Sequence, residues 1–321
     1  MKLLNIGTGV IGTTYAWQIA EAGHKVTLYV RPGRKAALDR DGIRINYTDL
    51  RTKPKEQDSI IFRPPVVESF TANDDYDVIL VSVLNHQLEP LLPLLAHHAG
   101  NADILFFLNL WSGTALIEQY LDPSQFFFGF AHTVGGGRTN GTINTIIFRE
   151  ETQLGEAEGP ATPRLLRMAE VLKDAVLNPE INDKMVDWLT VHYVQQASSV
   201  GGMLEAGSVD AFLKNSAIVK RTLLAYREGI HVCRARGIEP ETVIPMPWFL
   251  LRAPMFVLVP AFRKIFSNEE EKAMLEGHLG HGADEMVRGY FEVLRTGERL
   301  GVPMPHWKSF EPAINRFISR A

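Results

Sequence analysis

The chain has 321 residues, 45% of them apolar and 22% charged, with a formal net charge of −4 and a single cysteine, Cys233. A length beyond what one hydrophobic core organises predicts two domains, and the composition is that of an ordinary globular chain. The slight negative charge excludes the broad basic field of a nucleic-acid-binding surface, and one cysteine excludes an internal disulfide or a cysteine-based metal site.

Residues 2–6 form an apolar run too short for a secretory signal core, so they read as a first strand of a cytoplasmic protein. A glycine turn, Gly7 to Gly12, leads into a helix over 13–22 closed by Gly23, and 25–30 reads as a second strand, which completes a β-α-β unit. Further strands are expected at 78–83, 104–108 and 126–131, with helices at 87–96 and 115–120 between them. This alternation predicts an α/β fold with a Rossmann-type, doubly wound parallel sheet. Residues 130–155, with Gly135 to Gly137 and Asn140-Gly141, read as hairpins or loops.

From 162 onward long helical stretches take over, at 162–176, 182–206, 208–236, 269–300 and 306–319, which predicts an all-helical second domain. Pro160 and Pro163 mark a boundary between domains at 1–160 and 161–321. The apolar stretch 246–262 is interrupted by Pro247, Pro254 and Pro260 and carries Arg252, so it fails as a membrane span of roughly 20 residues. It reads as a buried helix-and-loop segment, with a substrate lid or a homodimer surface as the alternative.

Gly7-Thr8-Gly9-Val10-Ile11-Gly12 fits GxGxxG. The glycines serve a tight turn, the approach of a pyrophosphate, and close packing of helix on strand, while the helix start offers free N–H groups to the phosphates. At the end of the second strand an acidic residue would bind the ribose of NAD. Here Arg31, Arg34 and Lys35 stand instead, which suits the 2'-phosphate of NADP. The alternative is a solvated basic turn.

These residues resemble the ketopantoate reductase family, and the likeness runs along most of the chain. It rests on Gly7 to Gly12, Arg31-Pro32, the strand Asp77 to Val83 with Gln87 after it, Leu108-Asn109, Trp188, Glu228 with Gly237-Ile238, Met274-Leu275, Glu285, and Gly301 to Pro305. The resemblance implies an NADP-dependent reductase of a small 2-oxo acid. Its helical second domain would be of the 6-phosphogluconate dehydrogenase C-terminal type. Cofactor contacts fall at Gly7, Thr8, Gly9, Val10, Ile11, Gly12, Arg31, Val83, Leu84 and Asn109, and a substrate-side glutamate at Glu285. The family's two lysines are replaced by Leu84 and Thr190, its two asparagines fall near Val194 and Ser198, and its serine is Ala273 or Lys272. A substrate other than ketopantoate follows.

Ketone reduction needs a hydride from the cofactor and a proton donor near the carbonyl. His192, on the helix where the family places its lysine, titrates in a suitable range, although a structural histidine is the alternative. Asn109 is a candidate to orient substrate or nicotinamide, Glu285 to bind a substrate hydroxyl or ammonium or assist proton transfer, and Thr190 to donate a hydrogen bond. Lys184 and Lys272 are possible displaced cations, and Trp111 is a candidate pocket wall. His278, His281, Asp284 and Glu285 lack a metal-ligand spacing and read as a polar helix face, so no metal is expected. A catalytically weak NADP-binding sensor and an opine-type dehydrogenase are the competing readings.

Overall fold

The computed structural model describes residues 1–243 and 247–320, with the backbone alone at 247–249, 278 and 281. The chain divides into two compact units, Met1–Leu108 with Ser112–Val186, and Asn109–Trp111 with Asp187–Ala321.

The first unit holds strands β1 (Lys2–Ile6), β2 (Lys25–Tyr29), β3 (Ile43–Asp49), β4 (Glu56–Phe62), β5 (Val66–Val67), β6 (Val78–Val81), β7 (Asp103–Phe107), β8 (Phe126–Ala131), β9 (Val134–Thr139), β10 (Thr142–Ile147), β11 (Thr152–Glu156) and β12 (Pro179–Ile181). Its helices are α1 (Val10–Glu21), α2 (Lys35–Asp41), α3 (Asn85–His98), α4 (Ala115–Glu118) and α5 (Pro163–Asp174). The main sheet runs β12-β11-β8-β7-β6-β1-β2-β5. It is parallel from β5 to β8, and β11 then pairs antiparallel with β8. Its central strands are apolar runs because both faces are buried, as in β6, where all four residues are covered.

Because β1 pairs with β2 on one side and β6 on the other, the loops leaving β1 and β6 diverge. A crevice for a ligand opens at such a switch point. The expected α/β class therefore holds. The expected boundary at 160 does not coincide with the change of unit: Leu165, Met168, Val171 and Leu172 of α5 join the first core, which extends that unit to 186.

The β9-β10 hairpin turns at Asn140-Gly141, within the hairpins or loops expected at 130–155, but its extension by β3 and β4 into a second sheet, β4-β3-β10-β9, is not expected from the sequence. Ile43, Ile45, Ile143 and Ile147 pack into the same core as Tyr15, Trp17 and Ile19 of α1, and Thr14 donates to Thr145 at 3.0 Å. Helix α1, which carries the glycine loop, is thus held from both sides. Toward the main sheet, the buried Tyr15 hydroxyl shares a 2.5 Å hydrogen bond with Thr152, and Thr152 donates to the Leu177 carbonyl at 2.6 Å. Burial raises the Tyr15 pKa, so the phenol stays protonated. Tyr15→Phe should cost about 1 kcal/mol, the net worth of one hydrogen bond, read as a lower urea midpoint at unchanged slope.

The second unit consists of helices. They are α6 (Met185–Ala206), which begins two residues before the unit does, α7 (Val209–Lys214), α8 (Ser216–Ala235), α9 (Pro247–Arg252), α10 (Met255–Ile265), α11 (Glu269–His281), α12 (Ala283–Arg299), α13 (Pro305–Lys308) and α14 (Glu311–Ile318). Three expected helices are each two. Asn215 stops α7 and caps α8 by accepting from the Ala217 and Ile218 amides, Gly282 separates α11 from α12, and Ser309-Phe310 separates α13 from α14. Glu228, buried on α8, accepts from the His306 and Trp307 amides at 3.0 and 2.8 Å, which fixes α13.

The 246–262 stretch is not wholly buried as expected: Leu258 and Val259 are covered, but Phe256 is 80% exposed. Met246 lies outside the described residues. Among the described residues no helix is long and apolar enough to cross a membrane.

Candidate functional site

The three glycines of the loop after β1 do different work. A Cβ on Gly7, whose φ is +117°, would meet the Ser82 carbonyl oxygen at 2.2 Å, and one on Gly12 would meet the Gly7 oxygen and Ser82 Oγ, both at 2.2 Å. These two glycines let the loop, α1 and the end of β6 touch. Asn5 secures the turn by donating to the Gly7 carbonyl at 2.9 Å. Gly9 is different. It is exposed, its backbone is extended (φ −76°, ψ −174°), and a Cβ there would meet nothing within 4 Å.

Gly9 is the N-cap of α1 and has no side chain to cap it. The first N–H groups of a twelve-residue helix therefore open onto empty space between half-buried Thr8 and Val10. Such an arrangement fits an anion such as a pyrophosphate. Half-buried Val83 and exposed Leu84 follow β6 on the other side of the switch point.

At the end of β2 the expected three cations are reduced to two. The Lys35 ammonium pairs with Asp39 at 2.6 Å, whereas Arg31 and Arg34 are exposed and form no ion pair among the described residues. Their turn is closed by the Arg34 amide on the Arg31 carbonyl at 3.2 Å, with Gly33 at φ +86°.

In the second unit the structure brings together two residues that stand 176 apart. Asn109 Nδ2 donates to Glu285 Oε1 at 3.0 Å, and Asn109 Oδ1 is buried with no hydrogen-bond partner. The carboxylate fixes the amide's orientation, since only the NH2 group can donate to it. A buried acceptor is left over.

Trp111 is buried. Its ring stacks on Tyr193 at 5.9 Å, lies 4.4 Å below the Arg236 guanidinium, and donates through Nε1 to Thr296 at 3.0 Å. It anchors the peptide that carries Asn109. Tyr193 donates to Glu292 at 2.6 Å, and burial, reinforced by that carboxylate, raises its pKa far above the usual phenol range. It is a hydrogen-bond donor, not an acid.

Thr190 and His192 are both buried on α6, and the His192 ring lies flat against Trp188 at 5.0 Å with an interplanar angle of 3°. Val194 and Ser198 are buried too. Lys272 is engaged by Asp210 at 2.6 Å. The side chains of His278 and His281 lie outside the described residues, and among the described residues no group of three His, Cys, Asp or Glu could hold a metal. Sequence reasoning missed Asn5, Ser82 and Tyr193. Only Asn5, two residues ahead of the first loop glycine, carried a local signal.

A glycine loop at the switch point of a doubly wound sheet is the arrangement of a dinucleotide-binding domain, the kind found in nicotinamide-dependent oxidoreductases. Residues 4–159 match the family Ketopantoate reductase PanE/ApbA. Among curated proteins none matches the sequence.

Solved structures match over the whole length. 2-Dehydropantoate 2-reductase from Geobacter metallireducens is 14% identical, with a TM-score of 0.75 over 98% of this chain and 99% of that one. The enzyme from Methylococcus capsulatus is 19% identical, with a TM-score of 0.69 over 100% and 97%. D-Mandelate dehydrogenase in complex with NADH is 16% identical, with a TM-score of 0.69 over 98% of each chain. At these identities the likeness is one of fold, and it covers the helical unit as well as the first.

Proposed function

We propose that the protein is an NADP(H)-dependent reductase of a small 2-oxo acid or related carbonyl compound other than ketopantoate. The observation that carries the reading is the open cradle at Gly9, together with the unpaired Arg31 and Arg34 at the end of β2. The α1 amides would hold the pyrophosphate, the two guanidiniums the 2'-phosphate, and Val83 and exposed Leu84 the apolar faces of the nucleotide. The reduced nicotinamide supplies the hydride when bound. Asn109 offers its buried Oδ1 to a donor on nicotinamide or substrate, and Glu285 holds the amide so that it is this oxygen, not the NH2, that is presented.

The substrate departs from ketopantoate because both lysines of the family pattern are absent, with Leu84 and buried Thr190 in their places. The loss of those two cations favours a bulkier or less anionic compound. The same replacements support a second reading, a protein that binds NADPH without turning it over.

Titration with NADPH and NADH by fluorescence, then absorbance at the reduced-cofactor band with a panel of 2-oxo acids, tests both. NADPH binding more tightly than NADH and being consumed by one or more of the panel is the expected result. Tight NADPH binding with no consumption by any carbonyl compound favours the second reading, and binding of neither cofactor overturns both.

A further inference from the structure

We propose that Glu68 limits the preference for NADPH over NADH, by holding a carboxylate beside the Arg31 turn where it accepts a hydroxyl of an unphosphorylated adenosine ribose. The inference rests on the cofactor reading above. It starts from the sheet edge. Strand β5 is the outer neighbour of β2, with Tyr29 opposite Val67, and the Val30 amide donates to the Val67 carbonyl at 2.9 Å. Glu68 and Arg31 are therefore the residues at which two adjacent parallel strands leave the sheet, at the same carboxyl edge. In this fold the adenosine ribose is met at that place.

The Glu68 side chain reaches across to the far end of the basic turn, where Oε1 accepts the Lys35 amide at 2.9 Å. The other oxygen has no hydrogen bond among the described residues, and no cation there lies within ion-pairing distance of the carboxylate, because the Lys35 ammonium is taken by Asp39. The site thus presents two unpaired guanidiniums and one unpaired carboxylate around a single turn. Guanidinium favours a phosphate dianion; a carboxylate opposes it and accepts from the 2'- or 3'-hydroxyl of a plain ribose instead. An acidic residue looked for at the end of β2 is supplied by the neighbouring strand.

The test is a fluorescence titration of the full chain, its Glu68→Gln and Glu68→Ala variants and an Arg31→Gln variant, each with NADPH and with NADH. Glutamine keeps an oxygen for the Lys35 amide and removes the charge. Glu68→Gln should tighten NADPH about tenfold and weaken NADH severalfold, the size of effect expected for one charge acting on a nearby dianion in partly solvated surroundings. Arg31→Gln should move the ratio in the opposite sense. An NADPH-to-NADH ratio that Glu68→Gln leaves unchanged overturns this inference alone, as does equal weakening of both cofactors in Glu68→Ala with no effect in Glu68→Gln, which would make Glu68 only a brace for the turn. Binding of neither cofactor by the unaltered protein overturns this inference together with the reading it rests on.

Discussion

Gly9→Asp should leave the fold as stable as before, or more stable by about 0.5 kcal/mol, while lowering NADPH affinity by about a hundredfold or more. The two effects have opposite signs because the position has two different relations, one to the protein and one to the ligand. Toward the protein, residue 9 is an N-cap in extended conformation with open space where a Cβ would go. Aspartate is among the best N-caps, and its charge suits the positive end of the α1 dipole. Toward the ligand, the same carboxylate fills the cradle and sets a negative charge where a pyrophosphate must come. Thermal unfolding of the apo protein and NADPH titration measure the two effects separately. A variant that unfolds at the same temperature and still binds NADPH normally would show that the phosphates lie elsewhere. A side chain at Gly7 or Gly12 asks a different question, since it would meet backbone oxygen at 2.2 Å and disturb the loop itself.

Arg164→Met should cost about 3–5 kcal/mol, the largest stability loss expected from a single surface-distant polar change in the first unit. Arg164 lies on α5 over the Phe127 ring and donates to the Phe126 carbonyl at 2.7 Å. Its guanidinium also pairs with both oxygens of Glu156, which is 4% exposed and takes a further hydrogen bond from Thr162. Methionine fills much of the volume but leaves a buried carboxylate with one hydroxyl for company. At about 3 °C per kcal/mol for a chain segment of this size, the melting temperature should drop by about 10 °C. Adding Glu156→Gln should recover part of that loss, because the uncompensated charge is then gone. Additive losses in the double variant would show that Arg164 acts through its carbonyl contacts and not through the ion pair.

The parts of the fold that sequence alone disclosed are those whose signal is local and apolar. Residues 78–81 and 104–107 are continuous apolar runs, and 3–6 nearly so, because both faces of their strands are covered, and the glycine loop is a contiguous motif. Strands β3 and β4 of the second sheet carry no such signal. Strand β4 reads Glu56-Gln57-Asp58-Ser59 before its apolar end, the pattern of an exposed edge, and β3 finds its parallel partner β10 roughly a hundred residues away. The helix breaks at Asn215 and Gly282 are hidden because helix-forming residues continue on both sides, although Asn215 itself caps α8.

In the candidate site, the loop glycines and Arg31 could be read directly, since their chemistry depends on spacing of a few residues. Asn109 and Glu285 could each be named, but not that the carboxylate orients the amide, which is a fact about two side chains 176 positions apart. For Trp111 the sequence offers only an aromatic beside a functional residue, whereas its contacts with Tyr193 and Arg236 are long-range facts that only the fold supplies.

The membership of residues 109–111 in the helical unit has an outcome for anyone who would treat the halves as modules. The chain passes from one unit to the other three times, after residues 108, 111 and 186. A domain exchange with a relative, spliced at a single junction, would bring foreign helices to a native tripeptide, and Trp111 would face a surface not shaped for it. The helical unit and the Asn109–Trp111 peptide are one inheritable part, and a chimera that respects the structure needs three junctions.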